Sequence, residues 1–263
     1  MCLIAIAWCV HLRYRLALIA NRDELHARPA AAADFDPEAA DVYGGRDLVQ
    51  GGSWLLASTR GRLAAVTNVR EGSPGEAMPR SRGALVRDFV HGAQSADQYL
   101  ATLRADAAEY GRFNLLVWDG GRLAFASNHP GFSTHPVEPG VHAMSNGAFD
   151  APWPKSAHAT RALSAWLASD APDRHQAGDA RALQPLLDAL ADATPAPDAD
   201  LPDTGIGLDL ERSLSPAFVR DPRYGTRCST VVLVEHGALT FVERRFGPDA
   251  QVTGESARRL PLD

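Results

Sequence analysis

A chain of 263 residues, 45% of them hydrophobic and 22% charged, is long enough to enclose one full hydrophobic core, and a single domain over residues 1–263 is expected. The formal charge of -6, with arginines dispersed among acids, gives no footing for a phosphate backbone, so nucleic acid is not expected as a partner. The longest apolar stretch, Cys2 to Val10, is too short for a spanning helix and has no basic segment before it, so neither anchor nor signal peptide is expected and a cytoplasmic location is.

Cys2 to Val10 reads as a strand with Ile4, Ile6, Trp8 and Val10 on one face, and Leu16 to Ala20 reads as its hairpin partner. A long polar loop ending at Gly51-Gly52 is expected next. A second hairpin follows, from Trp54–Ala57 and Leu63–Val69 joined through Arg60-Gly61. Four strands therefore precede any helix. Ser81 caps a helix with Leu85, Val86, Phe89 and Val90 on one face, and Ser95 with Gln98 has capping-box spacing for a second helix through Ala108. Phe113 to Asp119 and Arg122 to Ser127 flank Gly120-Gly121 as another hairpin, with a short strand near Val141 to Ser145. Helices are expected around Ser156 to Leu167 and Asp179 to Ala191. The stretch from Thr194 to Pro216, rich in Pro, Asp and Gly, reads as a surface excursion. Cys228 to Glu235 and Leu239 to Phe246 close the chain as a hairpin.

Hairpins cannot make parallel neighbours, so this order argues for an α+β protein with antiparallel sheets and against a doubly wound parallel sheet. A four-layer αββα sandwich fits the order. So does an α+β protein built on a single sheet.

Three cysteines, Cys2, Cys9 and Cys228, make an odd count without a Cys-x-x-Cys pair, which indicates neither a disulfide framework nor a zinc cluster. The nine histidines are scattered without ligand spacing, so no metal is expected. Gly205-Ile206-Gly207 lacks the third glycine of a dinucleotide fingerprint. No cofactor is expected.

Cys2 directly follows Met1, and cysteine is small enough for the methionine to be removed. Removal creates a thiol and a free α-amine on one residue, and an amine titrating near ~8 can take the thiol proton at neutral pH. The bland alternative is a small core residue at the start of a strand. Asn21-Arg22-Asp23-Glu24 lies just after the second strand, beside the chain start if the hairpin forms. A guanidinium there favours thiolate and binds a substrate carboxylate, while Asp23 holds the amine; a solvated turn with its own ion pair is the alternative. Lys155 is the one lysine in a chain that otherwise uses arginine, and it falls in Pro152-Trp153-Pro154-Lys155. Trp153 is either a wall of a cleft or a loop plug.

These residues resemble the NRDE family, named for the tetrad Asn21 to Glu24, which includes homologues of Transport and Golgi organisation protein 2. The resemblance continues in order through Arg28-Pro29, Gly44-Gly45-Arg46-Asp47, Gly51-Gly52-Ser53-Trp54, Thr67-Asn68-Val69-Arg70, Ser81-Arg82-Gly83, Phe113-Asn114-Leu115, Ser127-Asn128, Ser145-Asn146, Pro152 to Lys155 and Tyr224-Gly225-Thr226-Arg227. Ser53 stands where threonine is common, and Met144 and Phe149 where leucine is common.

The family is in turn similar to N-terminal-nucleophile (Ntn) hydrolases of the penicillin-acylase, bile-salt-hydrolase and acid-ceramidase type, whose mature chains start with cysteine. That resemblance implies the αββα sandwich, with Cys2 as nucleophile, Arg22 and Asp23 attending it, and Asn68 and Asn146 as oxyanion donors. The register leaves Asn21 as an alternative to Arg22, and Arg227 adds a further positive charge. Asn21, Trp54, Trp153 and Lys155 are candidates for substrate binding. The function implied is an amidohydrolase or acyl-transfer enzyme acting on an amide or thioester carbonyl of a small molecule. A non-catalytic carrier of haem or an acyl-CoA on the same fold is the rival, and a purely structural interaction protein a third reading.

Overall fold

A computed structural model describes residues 2–72, 78–176 and 179–262, with Cys2 described by its main chain alone; Met1 and the Cys2 side chain lie outside the described residues. The strands in chain order are β1 (Cys2–Trp8), β2 (Leu16–Leu25), β3 (Ala30–Asp36), β4 (Ala39–Asp47), β5 (Leu55–Ser58), β6 (Arg62–Asn68), β7 (Phe113–Trp118), β8 (Leu123–Ser127), β9 (Ser133–Pro136), β10 (Gly140–Met144), β11 (Tyr224–Glu235), β12 (Ala238–Phe246) and β13 (Val252–Pro261). The helices are α1 (Arg82–His91), α2 (Ala96–Asp106), α3 (Pro154–Leu167), α4 (Ala171–Gln176), α5 (Gln184–Leu190) and α6 (Leu208–Ser213).

Side chains on a strand alternate between faces, and both faces of the central strands are apolar here. Ile4, Ile6, Leu16 and Leu18 point into a core shared with Leu55, Leu63, Leu116 and Phe125 of a second sheet. Leu3, Ala5, Ala17 and Ile19 point the other way, against Leu163, Trp166 and Leu186. On the far side, Val42, Ala64 and Leu115 pack under Leu85, Val86 and Phe89 of α1. Burying each such side chain contributes roughly 1.5–3 kcal/mol, so the three cores define four layers, helix, sheet, sheet, helix. All named strand pairs are antiparallel, in the orders β10-β1-β2-β11-β12-β13 and β3-β4-β5-β6-β7-β8-β9. The αββα sandwich is therefore the architecture, and the single-sheet alternative is not. Among the described residues no helix is long and apolar enough to cross a membrane.

Several local expectations change. The polar loop before Gly51-Gly52 contains the β3–β4 hairpin, so six strands precede the first helix. The helix expected over 179–191 is a short 3-10 turn over Ala180–Leu183 followed by α5, because Pro185 has no N–H to donate and suits only a first helical turn. The caps of α1 and α2 are as expected: Ser81 accepts from the Gly83 N–H, and Ser95 forms a full capping box with Gln98.

Candidate functional site

The tetrad 21–24 does not follow β2; it lies inside it. β2 runs on to Leu25 because β11 pairs with it as far as Tyr224↔Leu25, and β1 pairs on the other side with Cys2 opposite Arg22. Arg22 continues the Leu16, Leu18, Ala20 row facing the second sheet, whereas Asn21 and Asp23 continue the Ala17, Ile19 row facing the helices. The alternation of one strand thus divides the tetrad between two environments at the level of Cys2.

On the inter-sheet face, Arg22 is 6% exposed and its guanidinium lies 4.2 Å over the Trp54 ring. The guanidinium has a carboxylate contact to Glu24 at 3.9 Å, and among the described residues it makes no side-chain hydrogen bond. A stacked, desolvated guanidinium with unspent donors is a binding group for a carbonyl or carboxylate. Trp54 is held in place by the absence of a side chain at Gly45, where a Cβ would stand 2.2 Å from Trp54 Cζ2 and 3.2 Å from Glu243 Oε2. Glu243 accepts from the Ala33 N–H at 2.9 Å and from Arg245 at 3.3 Å, and burial raises its carboxyl above the usual range.

On the helix face, Asp23 is 2% exposed and accepts from the Thr226 hydroxyl at 2.7 Å. Burial raises its pKa, while the Lys155 ammonium, the Thr226 hydrogen bond and Arg22 act against that rise. Asn21 is saturated: its amide donates to the carbonyls of Leu190 (2.7 Å) and Ala217 (2.8 Å), and its oxygen accepts from Ser229 at 2.6 Å. Both amide hydrogens are spent on joining β2 to the C-terminal end of α5 and the segment before β11.

The next strand brings a third group. Met144 pairs with Ile4, and Asn146 follows two residues later at the Cys2 end of β1. Asn146 is fully buried; its amide donates to the Asn68 carbonyl at 2.9 Å, and its oxygen accepts from Lys155 Nζ at 3.4 Å. Asn68, the last residue of β6, is half-buried and belongs to the other sheet, so the ends of both sheets meet here. Lys155, in the first turn of α3 and 4% exposed, also donates to the Leu214 carbonyl at 3.2 Å. Trp153 caps α3, packs against Gly147, and has the Arg70 guanidinium 5.1 Å over its ring. Arg70 forms a buried ion pair with Glu211 of α6, whose other oxygen accepts from Thr204 N–H and Oγ1.

The structure therefore brings the Cys2 main chain, Arg22, Asp23, Asn68, Asn146 and Lys155 to one end of β1. Arg227 lies at a β-bulge of β11, across β2 from the Cys2 main chain, and its guanidinium donates to the carbonyls of Leu25, His26 and Arg28. Burial and the nearby Arg22 lower its pKa. Two contributors escaped the sequence reading, Thr226 under Asp23 and Gly45 beside Trp54. Their only signal was membership of the motifs Tyr224 to Arg227 and Gly44 to Asp47.

A family model described as Transport and Golgi organisation 2 matches residues 1–248. The chain belongs to this family. Its relatives include Transport and Golgi organization protein 2 homologs of Bos taurus, 35% identical, and Homo sapiens, 33% identical, each over 247 residues covering 88% of this chain and 86% of the relative. Transport and Golgi organization protein 2 of Drosophila melanogaster is 28% identical over 253 residues, with the same coverage. The Transport and Golgi organisation 2 match ends after β12, so β13 lies beyond it at the edge of the first sheet. Among solved structures, a Caenorhabditis elegans N-acylethanolamine-hydrolyzing acid amidase ortholog is similar with a TM-score of 0.47 and 10% identity, over 88% of this chain and 92% of that one. A C2A mutant of the conjugated bile acid hydrolase from Clostridium perfringens is similar with a TM-score of 0.48 and 7% identity, over 98% and 92%.

Proposed function

We propose that this member of the Transport and Golgi organisation 2 family is an Ntn-type hydrolase or acyl-transfer enzyme, with Cys2 as nucleophile once Met1 is removed and an amide or thioester carbonyl as its target. One observation carries the reading. The register of β1 on β2 sets Cys2 opposite a buried guanidinium that spends no hydrogen bond on the described residues, with the fully buried Asp23 next along the same strand.

In the proposed reaction the α-amine of Cys2 takes the thiol proton, and the thiolate adds to the carbonyl carbon. Arg22 favours the thiolate and receives a negative group of the substrate. The remaining N–H of the Asn146 amide, together with the Asn68 side chain, donates to the developing oxyanion; losing one such donor costs roughly 3 kcal/mol of transition-state stabilisation. The tetrahedral species collapses as the C–N or C–S bond breaks, and the leaving amine or thiol takes the proton from the α-ammonium. Water, losing a proton to the α-amine, then cleaves the acyl-enzyme to a carboxylic acid and restores the thiol. Asp23 anchors the α-amine from the helix face.

The test is Cys2→Ala assayed beside wild type on a panel of amide and thioester probes, with acyl-enzyme detected by intact mass. Wild type is expected to acylate and turn over, and the variant to do neither while folding normally. Absence of acylation in wild type, together with a haem absorption band lost in the variant, overturns the enzyme reading in favour of a carrier.

A further inference from the structure

Lys155 occupies a place that ordinary preferences oppose. It lies in the first turn of α3, where the helix dipole disfavours a cation, and it is 4% exposed, where an ammonium needs compensation. It is also the single lysine of the chain, every other strong base being arginine. A buried ammonium at this point needs compensating partners, and its surroundings supply them. Nζ donates to Leu214 O at 3.2 Å and to Asn146 Oδ1 at 3.4 Å. Asp23 on β2 feels its charge, and Arg70 and Glu211 line the same small cleft.

An ammonium has donors and no acceptor, so the end of the Asn146 amide that faces it must be the oxygen. The NH2 end is then directed away from Lys155, where one hydrogen reaches Asn68 O at 2.9 Å. Ser145 Oγ also donates to the Asn146 oxygen, at 3.4 Å, and the ammonium adds a charged contact to a set that favours the same orientation. We propose that Lys155 is a positioning residue: its ammonium locks the Asn146 amide with the NH2 toward the Cys2 end of β1. This rests on the hydrolase reading for its catalytic consequence, but the locked amide does not.

Two measurements keep these apart. With asparagine-selective 15N labelling, the Asn146 side-chain NH2 pair is assigned by its disappearance in Asn146→Ala. In Lys155→Met that pair is expected to shift and exchange faster, while the Asn128 pair, bonded to Ala107 O and Tyr110 O, stays in place. Lys155→Arg serves the same comparison should the methionine variant not fold, since a planar guanidinium cannot occupy the compact ammonium's place between the two acceptors. In turnover of a thioester probe, kcat is expected to fall about 100-fold with KM within about threefold, and Lys155→Met with Asn146→Ala together to be no worse than either alone. An unmoved Asn146 pair, or fully additive losses, overturns the positioning role. Failure of wild-type turnover with a shifted pair overturns the hydrolase reading and leaves the locked amide standing.

Discussion

Arg22 and Asp23 are adjacent in sequence and face opposite sides of one sheet at the level of Cys2, Arg22 stacked on Trp54 between the sheets and Asp23 bonded to Thr226 under the helices. A cation and a carboxyl on consecutive residues of a loop would neutralise each other. On consecutive residues of a strand they are held apart by the pleat, so each acts on a different part of the chain terminus. In the proposed reaction Arg22 acts from the space between the sheets and Asp23 from the helix face.

Gly45 is the support of the Arg22 stack. Gly45→Ala puts a methyl group 2.2 Å from Trp54 Cζ2, closer than any packed contact, and the ring must move. A loss of about 1–3 kcal/mol is expected in urea denaturation, with a change in Trp54 fluorescence, while Gly51→Ala, which meets nothing within 4 Å but has a positive φ of 71°, keeps the Trp54 environment. Equal fluorescence in Gly45→Ala and wild type would show that Trp54 does not depend on this gap.

Asn21 is expected to behave as a structural tie. Asn21→Ala strands the carbonyls of Leu190 and Ala217 and the Ser229 hydroxyl, for a loss of ~3 kcal/mol. Asn21→Asp is expected to be worse, since it aims a carboxylate at two carbonyl oxygens. Denaturant midpoints of the two variants check the order, and an Asn21→Asp protein as stable as wild type would contradict it.

Glu243 sets a pH dependence of definite sign. Burial raises its carboxyl pKa in the fold, so between its ordinary value and the raised one the folded chain keeps a proton that the unfolded chain has lost. Its contribution is therefore fully present in acid and declines as pH rises through that window. Glu243→Gln retains an oxygen for the Ala33 N–H and has no such decline, so its stability relative to wild type is expected to increase from pH 4 upward. Parallel stability curves from pH 4 to 8 would contradict the assignment.

The Arg70–Glu211 pair closes the segment leading into α6 over Trp153 and Lys155. Arg70→Ala leaves the Glu211 carboxylate buried without its guanidinium, and a loss of about 3–5 kcal/mol is expected, felt first as opening of residues 202–215. Limited proteolysis is expected to cut the variant there well before wild type. Identical digestion patterns would show that Thr204 alone holds the segment.

Much of this was legible in the sequence where patterns are local and dense. The β1–β2, β7–β8 and β11–β12 hairpins announce themselves by β-branched and aromatic residues flanking short turns. β3 and β4 do not, because Ala30 to Ala33 and the acids around them carry almost no strand preference, and β3 is an edge whose pairing shifts register twice. In the site, the residue types of the tetrad were visible but not their allocation to faces. That allocation depends on β11 pairing with β2, and Asn21 is bonded to Ser229 from 208 positions away, beyond what any local pattern encodes. Lys155 was conspicuous for being alone; its burial against Asn146 and Leu214 was not.

Activation of Cys2 as a nucleophile can be read from competition among the three thiols of the native protein. Cys9 is exposed and Cys228 buried, so they serve as the ordinary and the shielded reference. With Met1 loss established by intact mass, a limiting amount of iodoacetamide at pH 7 is followed by peptide mapping. An activated Cys2 has a thiol pKa below the free value of ~8.5 and is labelled first, ahead of Cys9, with the preference lost in Arg22→Met. Labelling of Cys9 first, with Cys2 no faster in wild type than in Arg22→Met, would show that Cys2 is an ordinary thiol.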